Sequence, residues 1–427
     1  MSVNTISSVI HSLAPYVGWI FYAITFYIAA SLALSSWIFW REELYKHSKK
    51  LLPWVFLEIR IPRETLQGPK AMEQFLAALY PLRNKPGTWI KKWWDGEVPR
   101  WHTVDIIGKN NEVKFFMRVS GRLSAAIEGL LYAQYPNIEI AEVEDPLAAE
   151  LPRTYQELEA QGYEIFGNEL YQTHGHIVSI RTYSEFEEER GDEKGRIIDP
   201  FSVLLELIGN LKPAEMIFVQ LVLMPDVNQS HWKHEADHIL DKLRNTTQKT
   251  GVDKEGKPQF RFRQRTPGEE GVIKRIEDKK ERSTYETTIR YMYIAPKELY
   301  NMHIGYRGIQ TFFNQFRHDR QTLERNIWAM TKTEWYYFPF FFPAYRLRQK
   351  RIIFYNEFIH RFLPEESFAG QLANASIWHW CFFHKPALLS TEEVATLFHI
   401  PTNVVLTQST MDRIESKRLA APVNLPE

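Results

Sequence analysis

Cysteine is almost absent from this chain of 427 residues, which contains Cys381 alone. A single cysteine excludes an internal disulfide and any zinc site built from cysteine ligands. The chain also has no net charge, because 52 Lys and Arg residues balance 52 Asp and Glu residues. This balance removes the simplest argument for nucleic-acid binding, which is a strongly basic chain. A mean hydropathy of −0.35 excludes a polytopic membrane protein.

The composition that remains is that of a folded globular protein. Hydrophobic residues make up 44% of the chain and charged residues 24%, which are ordinary values and exclude wholesale disorder. At about 100–200 residues per domain, the length is sufficient for two or three domains.

Charge is missing from one long N-terminal segment. The 25 residues at 16–40 contain no charged side chain, and about 20 apolar residues suffice for a helix to cross a bilayer. Trp19 and Tyr22 lie near one end of the segment and Trp37 and Trp40 at the other, as in the aromatic belts of membrane proteins. We therefore expect a transmembrane helix at residues 16–40. A cleaved signal peptide and a buried core helix are the alternatives.

The flanks of this segment predict its orientation. Residues 1–15 contain no Lys or Arg, whereas Arg41, Lys46, Lys49 and Lys50 follow the segment. The missing basic residues also argue against a signal peptide. By the positive-inside rule, residues 1–15 would be extracytoplasmic and the bulk of the chain cytoplasmic. The expected location is the inner (plasma) membrane, with a single pass.

The residues after this segment predict an α+β fold. Between residues 51 and 146 the periodicity and turn signals predict strands at 54–61, 101–107, 113–119 and 138–143 and helices at 64–82 and 121–134. Their order is β-α-β-β-α-β, which is the ferredoxin-like order. The Gly and Asn residues at 108–112 suit the turn of a hairpin.

A second α+β unit is expected at residues 163–316. The predicted elements are a strand at Ile177–Tyr183, a helix at Pro200–Leu211, a strand at Ala214–Leu223, a helix at Gln229–Thr246, a strand at Thr284–Ile294 and a helix at Leu299–Phe316. A charged insertion, 247–283, carries 11 Lys and Arg against 7 Asp and Glu. Residues 317–427 read as a helical C-terminal region with a tail. The expected fold class is thus an N-terminal transmembrane helix, a ferredoxin-like unit, a second decorated α+β unit and a helical C-terminal region.

Residues 234–238 match the HExxH pattern of zinc peptidases. On a helix, His234 and His238 would share a face, and Glu235 could act as the general base for a zinc-bound water. Charged Lys233 and Asp237 surround the histidines, which favours a solvated amphipathic face over a dry catalytic cavity. We expect no metal here, and a zinc site at His234 and His238 is the alternative.

A phosphate-binding loop is not formed by residues 251–257, although they match GxxxxGK. Pro258 stands where the motif requires Ser or Thr to bind Mg²⁺. The pattern therefore predicts a charged hairpin or linker, and it gives no indication of an ATP site.

Two stretches combine basic and aromatic side chains. Their candidate contacts to nucleic-acid or lipid phosphates are Arg261, Arg263, Arg265, Arg346, Arg348, Lys350 and Arg351. Interleaved rings and guanidinium groups are typical of single-strand nucleic-acid grooves, and basic clusters also bind anionic lipid head groups. A solvated strand or helix end is the alternative for both stretches.

Residues 390–393 predict the start of a helix. Ser390 is a favourable N-cap, and Glu393 three residues later would complete a capping box. The helix would then present Val394, Leu397 and Phe398 on one apolar face. This face either packs onto its own domain or docks a partner.

Several segments together resemble a known family. They are Pro53–Ile61, Phe115–Ser120, Tyr135–Ile140, Leu388–Pro401 and Lys417–Pro422. In this order they are similar to the N-terminal, non-ATPase region of bacterial membrane proteins related to type IV secretion coupling ATPases (the HerA/FtsK-like DNA-pumping class), a domain family of unknown function. In those relatives a P-loop ATPase follows the last segment, whereas this sequence ends at Glu427. The resemblance therefore implies either a motor on a separate polypeptide or a region that works without one.

The function that we expect from these observations is non-enzymatic. The chain would be a membrane-anchored scaffold or adaptor in a type IV secretion-like machine that translocates DNA or protein. Its partners would be the membrane, a P-loop ATPase and nucleic acid, and it would form an oligomer and need no cofactor. A membrane-bound zinc metallopeptidase that uses His234, Glu235 and His238, and a general envelope scaffold, are the alternatives.

Overall fold

The computed structural model describes most of the chain. The described residues are 3–46, 53–62, 67–84, 88, 90–91, 94–188, 199–227, 229–244, 247–252, 258–262, 266–318, 321–337, 340–363 and 384–401.

Within these ranges the strands form one large sheet and a separate hairpin. The strands are β1 (Trp54–Arg60), β2 (His102–Lys109), β3 (Glu112–Ser120), β4 (Glu139–Val143), β5 (Tyr163–Gln172), β6 (Met216–Pro225), β7 (Thr247–Val252), β8 (Pro258–Phe262), β9 (Thr284–Pro296), β10 (Leu323–Arg325) and β11 (Ala387–Ser390). Nine of them form the sheet in the order β10-β5-β9-β6-β2-β3-β1-β4, with β11 also paired to β9. All its strand pairs are antiparallel.

The helices lie before, between and after these strands. They are α1 (Val3–Lys46), α2 (Pro69–Leu79), α3 (Ser124–Gln134), α4 (Pro146–Glu150), α5 (Tyr155–Ala160), α6 (Tyr183–Glu188), α7 (Ser202–Gly209), α8 (Gln229–Arg244), α9 (Pro267–Glu281), α10 (Ile309–Asn314), α11 (Pro343–Ile359) and α12 (Thr391–Leu397).

The first half of the sheet contains the β-α-β-β-α-β unit. Across the sheet its strands lie in the order β4-β1-β3-β2. Numbered by their position along the chain, these are the fourth, first, third and second strands of the unit. The two central residues of the β2–β3 turn, Asn110 and Asn111, have φ values of 51° and 62°. Positive φ at both positions is the requirement of a type I′ hairpin turn, and asparagine tolerates it better than most residues.

The second half of the sheet repeats this arrangement. Strands β5, β6, β9 and β10 are its first to fourth strands, and they again lie in the order fourth, first, third, second. The connection between β6 and β9 is not a tight turn but an insertion that holds α8, the β7–β8 hairpin and α9. The two units meet where β2 pairs with β6. From either edge of the sheet to this junction, the strands of a unit therefore follow in the same order: fourth, first, third, second.

The sequence predicts two α+β units without saying how they join, and in the structure they share one sheet. Two other features differ from the sequence prediction. The first strand of the second unit is Tyr163–Gln172, whereas Ile177–Tyr183 leads into α6, so the strand predicted there is wrong. The region predicted to be helical also contributes the short strands β10 and β11 to the sheet.

Both faces of the sheet are covered. On one face, α2, α3, α7, α10 and α12 bury side chains such as Leu76, Leu131 and Phe312 against the inner residues of the strands. On the other face, α5 and α11 bury Tyr155, Phe354 and their neighbours. The sheet is therefore the middle layer of three, which explains why its central strands are buried on both sides.

The N-terminal helix α1 includes the segment at 16–40 that the sequence predicts to cross a membrane. None of the described helices combines the length and the apolarity that a membrane crossing requires. The expected transmembrane helix is therefore wrong. The physical reason is that a run without charge is not the same as an apolar run. Thr25 and Ser31, for example, carry hydroxyl groups that donate to the carbonyls of Phe21 and Ile28, and such side chains lower the mean hydropathy.

Candidate functional site

Three segments that are distant in sequence enclose a polar cavity of about 380 Å³. They are α9, the residues from 179 to 185, and the start of α12. The lining side chains are Ser179, Thr182, Ser184, Glu185, Gly271, Lys274, Arg275, Asp278, Lys279, Arg282, Ser390 and Glu392. Four of these are cations and three are carboxylates, and four carry hydroxyl groups. We call this cavity the α9 pocket.

Helix α9 supplies most of the charged lining. A complete capping box fixes its start, with Thr266 accepting from the Glu269 amide and the Glu269 side chain accepting from the Thr266 amide, and Pro267 occupies the first turn. Residues 271, 274, 275, 278 and 282 follow at helical spacing and therefore share one face. That face is the wall of the pocket.

The floor of the pocket is a buried ion pair. Lys279 Nζ lies 3.0 Å from Glu393 Oε2, and both side chains are fully buried. Lys279 also donates to the carbonyl of Leu388 at 2.7 Å. Burial lowers the pKa of Lys279, although Glu393 opposes this. The pair attaches α9 to α12.

The same glutamate completes the predicted capping box of α12. Glu393 accepts from the Ser390 amide at 2.7 Å, and the Ser390 hydroxyl accepts from the Glu393 amide at 3.3 Å. The other carboxylate oxygen of Glu393 accepts from the Ile180 amide at 2.9 Å. Glu393 thus positions all three segments of the pocket at once.

Arg282 lines the pocket, and its guanidinium group has three acceptors within the chain. Its guanidinium lies 2.8 Å from Glu73 and 3.1 Å from Glu392, and it donates to the Asp278 carbonyl at 3.0 Å. Glu392 also accepts from the Ser184 hydroxyl. Burial raises the pKa of the Glu392 carboxyl, against the effects of Ser184 and Arg282.

Two cations of the pocket have no acceptor within hydrogen-bond distance for at least part of their donor groups. Lys274 is exposed and makes no ion pair with any residue that the structure describes. Arg275 Nη1 lies 3.7 Å from Glu185, beyond hydrogen-bond distance, and its buried Nε has no hydrogen-bond partner among the described residues. Glu185 is held instead by His318 Nδ1 at 3.0 Å. The arrangement leaves donors on Lys274 and Arg275 for an anion.

The basic residues predicted as phosphate contacts on α11 have partners within the chain. Arg346 is buried and donates to the carbonyls of Phe341, Tyr337 and Glu334 at 2.9–3.1 Å. These bonds hold the aromatic segment before α11 against the helix.

Lys350 is also buried, and it donates to the carbonyls of Ile327 and Met330 at 3.1 and 3.2 Å. The two carbonyls belong to the segment after β10. Lys350 therefore joins that segment to α11.

Arg348 and Arg351 are paired with carboxylates. Arg348 lies 2.8 Å from Glu159, and Arg351 pairs with Glu164. Arg261 lies on β8, where the structure does not describe its side chain, and Arg263 and Arg265 lie outside the described residues.

The apolar side chains predicted for α12 are buried within this chain. Val394, Leu397 and Phe398 are 0, 1 and 2% exposed, and they belong to the same core as Leu76 of α2. The structure thus has the helix packed onto its own fold, the first of the two alternatives that the sequence leaves open.

The two histidines of the HExxH match are exposed on α8. Ala236 and Leu240 on the same helix are buried, as the amphipathic interpretation predicts. Nowhere in the described ranges do three or more His, Cys, Asp or Glu side chains come together as metal ligands.

The pocket residues have weak signals in the sequence. Thr266, Pro267 and Glu269 mark the start of α9, but the insertion reads as a charged linker because its apolar residues are few. Lys274 and Arg275 acquire a role only because α9 contacts residues about a hundred positions away on either side. No local pattern encodes that contact.

Comparison with known proteins adds no further constraint. No protein-family model matches the chain, and no curated protein is significantly similar to it. The resemblance to the secretion-associated family stays a prediction.

Proposed function

We propose that this chain is a non-enzymatic binding protein whose α9 pocket takes a small phosphate-bearing ligand. The observation that carries the proposal is a pair of cations on the pocket face of α9. Lys274 is exposed and makes no ion pair with a described residue, and Arg275 Nη1 lies 3.7 Å from the Glu185 carboxylate, beyond hydrogen-bond distance. An anion in the pocket would meet both charges.

The size and polarity of the pocket support this ligand class. At about 380 Å³ the cavity falls within the range of small-molecule sites. Lysine and arginine are the usual partners of phosphate oxygens because their hydrogen bonds are charge-assisted. The hydroxyl groups of Ser179 and Thr182 in the lining suit a ligand that is polar beyond its phosphate.

The state of the carboxylates supports binding rather than catalysis. Glu185 is engaged by His318, and Glu392 by Arg282 and Ser184. A general base must be able to accept a proton from its substrate, and these two of the three lining carboxylates already accept hydrogen bonds or pair with cations of the chain.

Titration with inorganic phosphate tests the proposal. We expect isothermal titration calorimetry to detect binding to the full chain, and we expect Arg275→Gln to weaken it on the order of tenfold, since a hydrogen bond to a charged group is worth about 1.5–3 kcal/mol. Lys274→Ala removes an exposed charge and should weaken binding without affecting the fold.

Matched controls locate the binding. Lys70 is likewise exposed on a helix, α2, and does not line the pocket, so Lys70→Ala should bind phosphate as the wild type does. Arg153→Gln is the corresponding exposed control for Arg275→Gln. Absence of phosphate binding at millimolar concentration, or equal affinities in all four variants, would contradict the proposal.

The translocation-adaptor role stays a prediction that is independent of the pocket. Its membrane anchor is corrected above, but a partnership with a separate P-loop ATPase has a direct test. The full chain carrying an affinity tag should co-purify with such an ATPase from its native cells. Recovery of no P-loop ATPase after crosslinking would reject this role and leave the pocket proposal standing.

A further inference from the structure

The segment that leads into α11 exposes a dense group of aromatic side chains. The eleven residues at 335–345 comprise eight aromatic residues, two prolines and one alanine, and none of them is charged. Six of their side chains are 48–73% exposed: Trp335, Tyr336, Phe340, Phe341, Phe342 and Tyr345. We call these six side chains the aromatic surface.

The exposed area of the aromatic surface is large for a protein face that stays in water. An aromatic side chain has about 150–250 Å² of surface, so the exposed fractions correspond to roughly 500–900 Å² in total. The largest apolar patch on a typical monomer is about 300–600 Å², and larger patches mark interaction sites. The aromatic surface therefore calls for a partner that covers it.

The backbone beneath the rings does not depend on water for its hydrogen bonds. The buried guanidinium of Arg346 donates at 2.9–3.1 Å to three carbonyls, those of Glu334, Tyr337 and Phe341. The Arg346 amide donates to the carbonyl of Phe342 at 3.0 Å. These four carbonyls stay satisfied when the surface leaves water, and a lipid environment imposes that requirement on any backbone that enters it.

Phe342 keeps a strained backbone conformation at the start of α11. Its φ of 48° and ψ of 55° lie in the left-handed region, where a bulky side chain is rarely found. Its ring is 65% exposed, so packing against the described residues compensates little of this strain. Strained residues that persist without such compensation are typical of functional sites.

The cations that flank the segment in sequence are already paired. Lys332 Nζ lies 3.1 Å from Glu334, and Arg348 on α11 lies 2.8 Å from Glu159. The attraction that this face offers is therefore apolar, and it does not come from free positive charge.

We propose that the aromatic surface inserts into the interfacial region of a lipid bilayer, so that the chain binds membranes peripherally. Trp and Tyr are enriched at the head-group level of membranes, and Phe suits the boundary with the acyl chains, about 5–10 Å deep. Protein interfaces surround an apolar centre with polar contacts, whereas this segment has no charged residue and its described carbonyls are satisfied. The aromatic surface shares no residue with the α9 pocket.

Flotation with phosphatidylcholine vesicles, which have no net charge, tests the proposal. We expect the full chain to float with the vesicles at low and at high salt alike, because salt screens charges and not apolar insertion. The double variant Phe340→Ser and Phe342→Asn removes two exposed rings, and asparagine tolerates the left-handed conformation. Its apparent Kd should rise at least on the order of tenfold, the contribution of burying one Phe side chain.

Controls separate this effect from unfolding and from other exposed apolar residues. The melting temperature of the double variant should match that of the wild type, because both rings are exposed. Ile90 is 51% exposed outside the aromatic surface, so Ile90→Ser should bind vesicles as the wild type does.

Fluorescence quenching locates the contact. Lipids brominated in the upper acyl chain should quench Trp335, so Trp335→Phe should bind vesicles but lose part of the quenching. Trp94 is 61% exposed and lies outside the aromatic surface, and Trp94→Phe should keep the wild-type quenching. The proposal would be overturned by quenching that Trp335→Phe leaves unchanged or by equal affinities of the wild type and the double variant. Flotation with anionic vesicles alone, or with none, would overturn it as well.

Discussion

Four polar side chains, those of Glu169, Arg290, His384 and Glu357, form a buried network on one face of the sheet. Glu169 and Arg290 are fully buried, and His384 Nδ1 lies 2.9 Å from Glu169 Oε2 while its Nε2 lies 3.4 Å from Glu357. Burial alone would lower the pKa of His384, but Glu169 and Glu357 outweigh it and raise the pKa to about 10. Burial also opposes ionisation of Glu169, but His384 and Arg290 lower the pKa of Glu169 to about 2.

The network predicts a pH dependence of stability. The pKa of His384 is raised from about 6.5 in the unfolded chain to about 10 in the fold, so its contribution is complete below about pH 6.5 and is lost as the pH rises to 10. In urea unfolding at pH 6, 8 and 10, the free energy of unfolding of the wild type should therefore fall with pH more steeply than that of His384→Gln.

His238→Gln is the matched control, because His238 is exposed on α8. It should retain the wild-type slope between pH 6 and 10. Parallel slopes for the wild type and His384→Gln would show that the imidazolium does not stabilise the fold.

Residue chemistry was predictable from the sequence only where it is local. Ser390 and Glu393 are three positions apart, and the capping box predicted from that spacing is confirmed. The sequence predicts Arg346 and Lys350 as phosphate contacts, but their carbonyl partners come from the segments before α11 and after β10. Sequence spacing does not encode such contacts, so a structural cation cannot be distinguished from a binding one.

Elements differ in how clearly the sequence predicts them. Strand β3 follows a two-residue turn with Asn110 and Asn111, so both its start and its register were predictable. Strand β5 is buried on both faces and carries Asn168 and Glu169 at its centre. Its residues therefore show no apolar alternation, and the apolar Ile177–Tyr183 segment was mistaken for the strand.

Helix α11 packs closely on β5 at a glycine. A Cβ atom built on Gly167 would overlap the ring of Phe354 on α11, whereas one built on Gly129 in α3 meets nothing within 4 Å. The same substitution should therefore have opposite effects at these two positions.

We expect Gly167→Ala to destabilise the fold by about 1–3 kcal/mol, because the added methyl group overpacks the core. Gly129→Ala should stabilise it by about 0.5–1 kcal/mol, because alanine in an exposed helix loses less conformational entropy. Urea unfolding measures both. In a Phe354→Leu background the cost of Gly167→Ala should shrink, and an undiminished cost would place the strain elsewhere.

The whole molecule is held together where its two units meet. Strands β2 and β6 pair over eight residues, from His102 with Leu223 to Lys109 with Met216. Side chains reinforce the junction: Gln220 on β6 donates to Asp105 on β2 at 3.1 Å and to the carbonyl of Phe358 at 3.2 Å. The first unit was predictable from its own pattern, and the second only in part, because β5 and β10 lack a clear strand pattern. Their junction was not, because no sequence signal pairs two strands that are both buried on each face.

Hydrogen exchange tests whether this junction makes the two units one cooperative body. If the sheet unfolds as a whole, the amides of β2 and β6 should exchange only through global unfolding, with the same free energy as those of β3 and β9. The short edge strands β4 and β10 should exchange through local opening, at lower free energy, because each pairs on one side only. Amides of β2 and β6 that exchange faster than those of β3 and β9 would instead show two units that separate at the junction.

The variant Asp105→Asn tests the same coupling from one side of the junction. It removes one of the two negative partners of the buried Arg361, Asp105 and Asp145. It should therefore lower the exchange free energies of β3 and β9 equally if the units are coupled, and that of β3 alone if they are not.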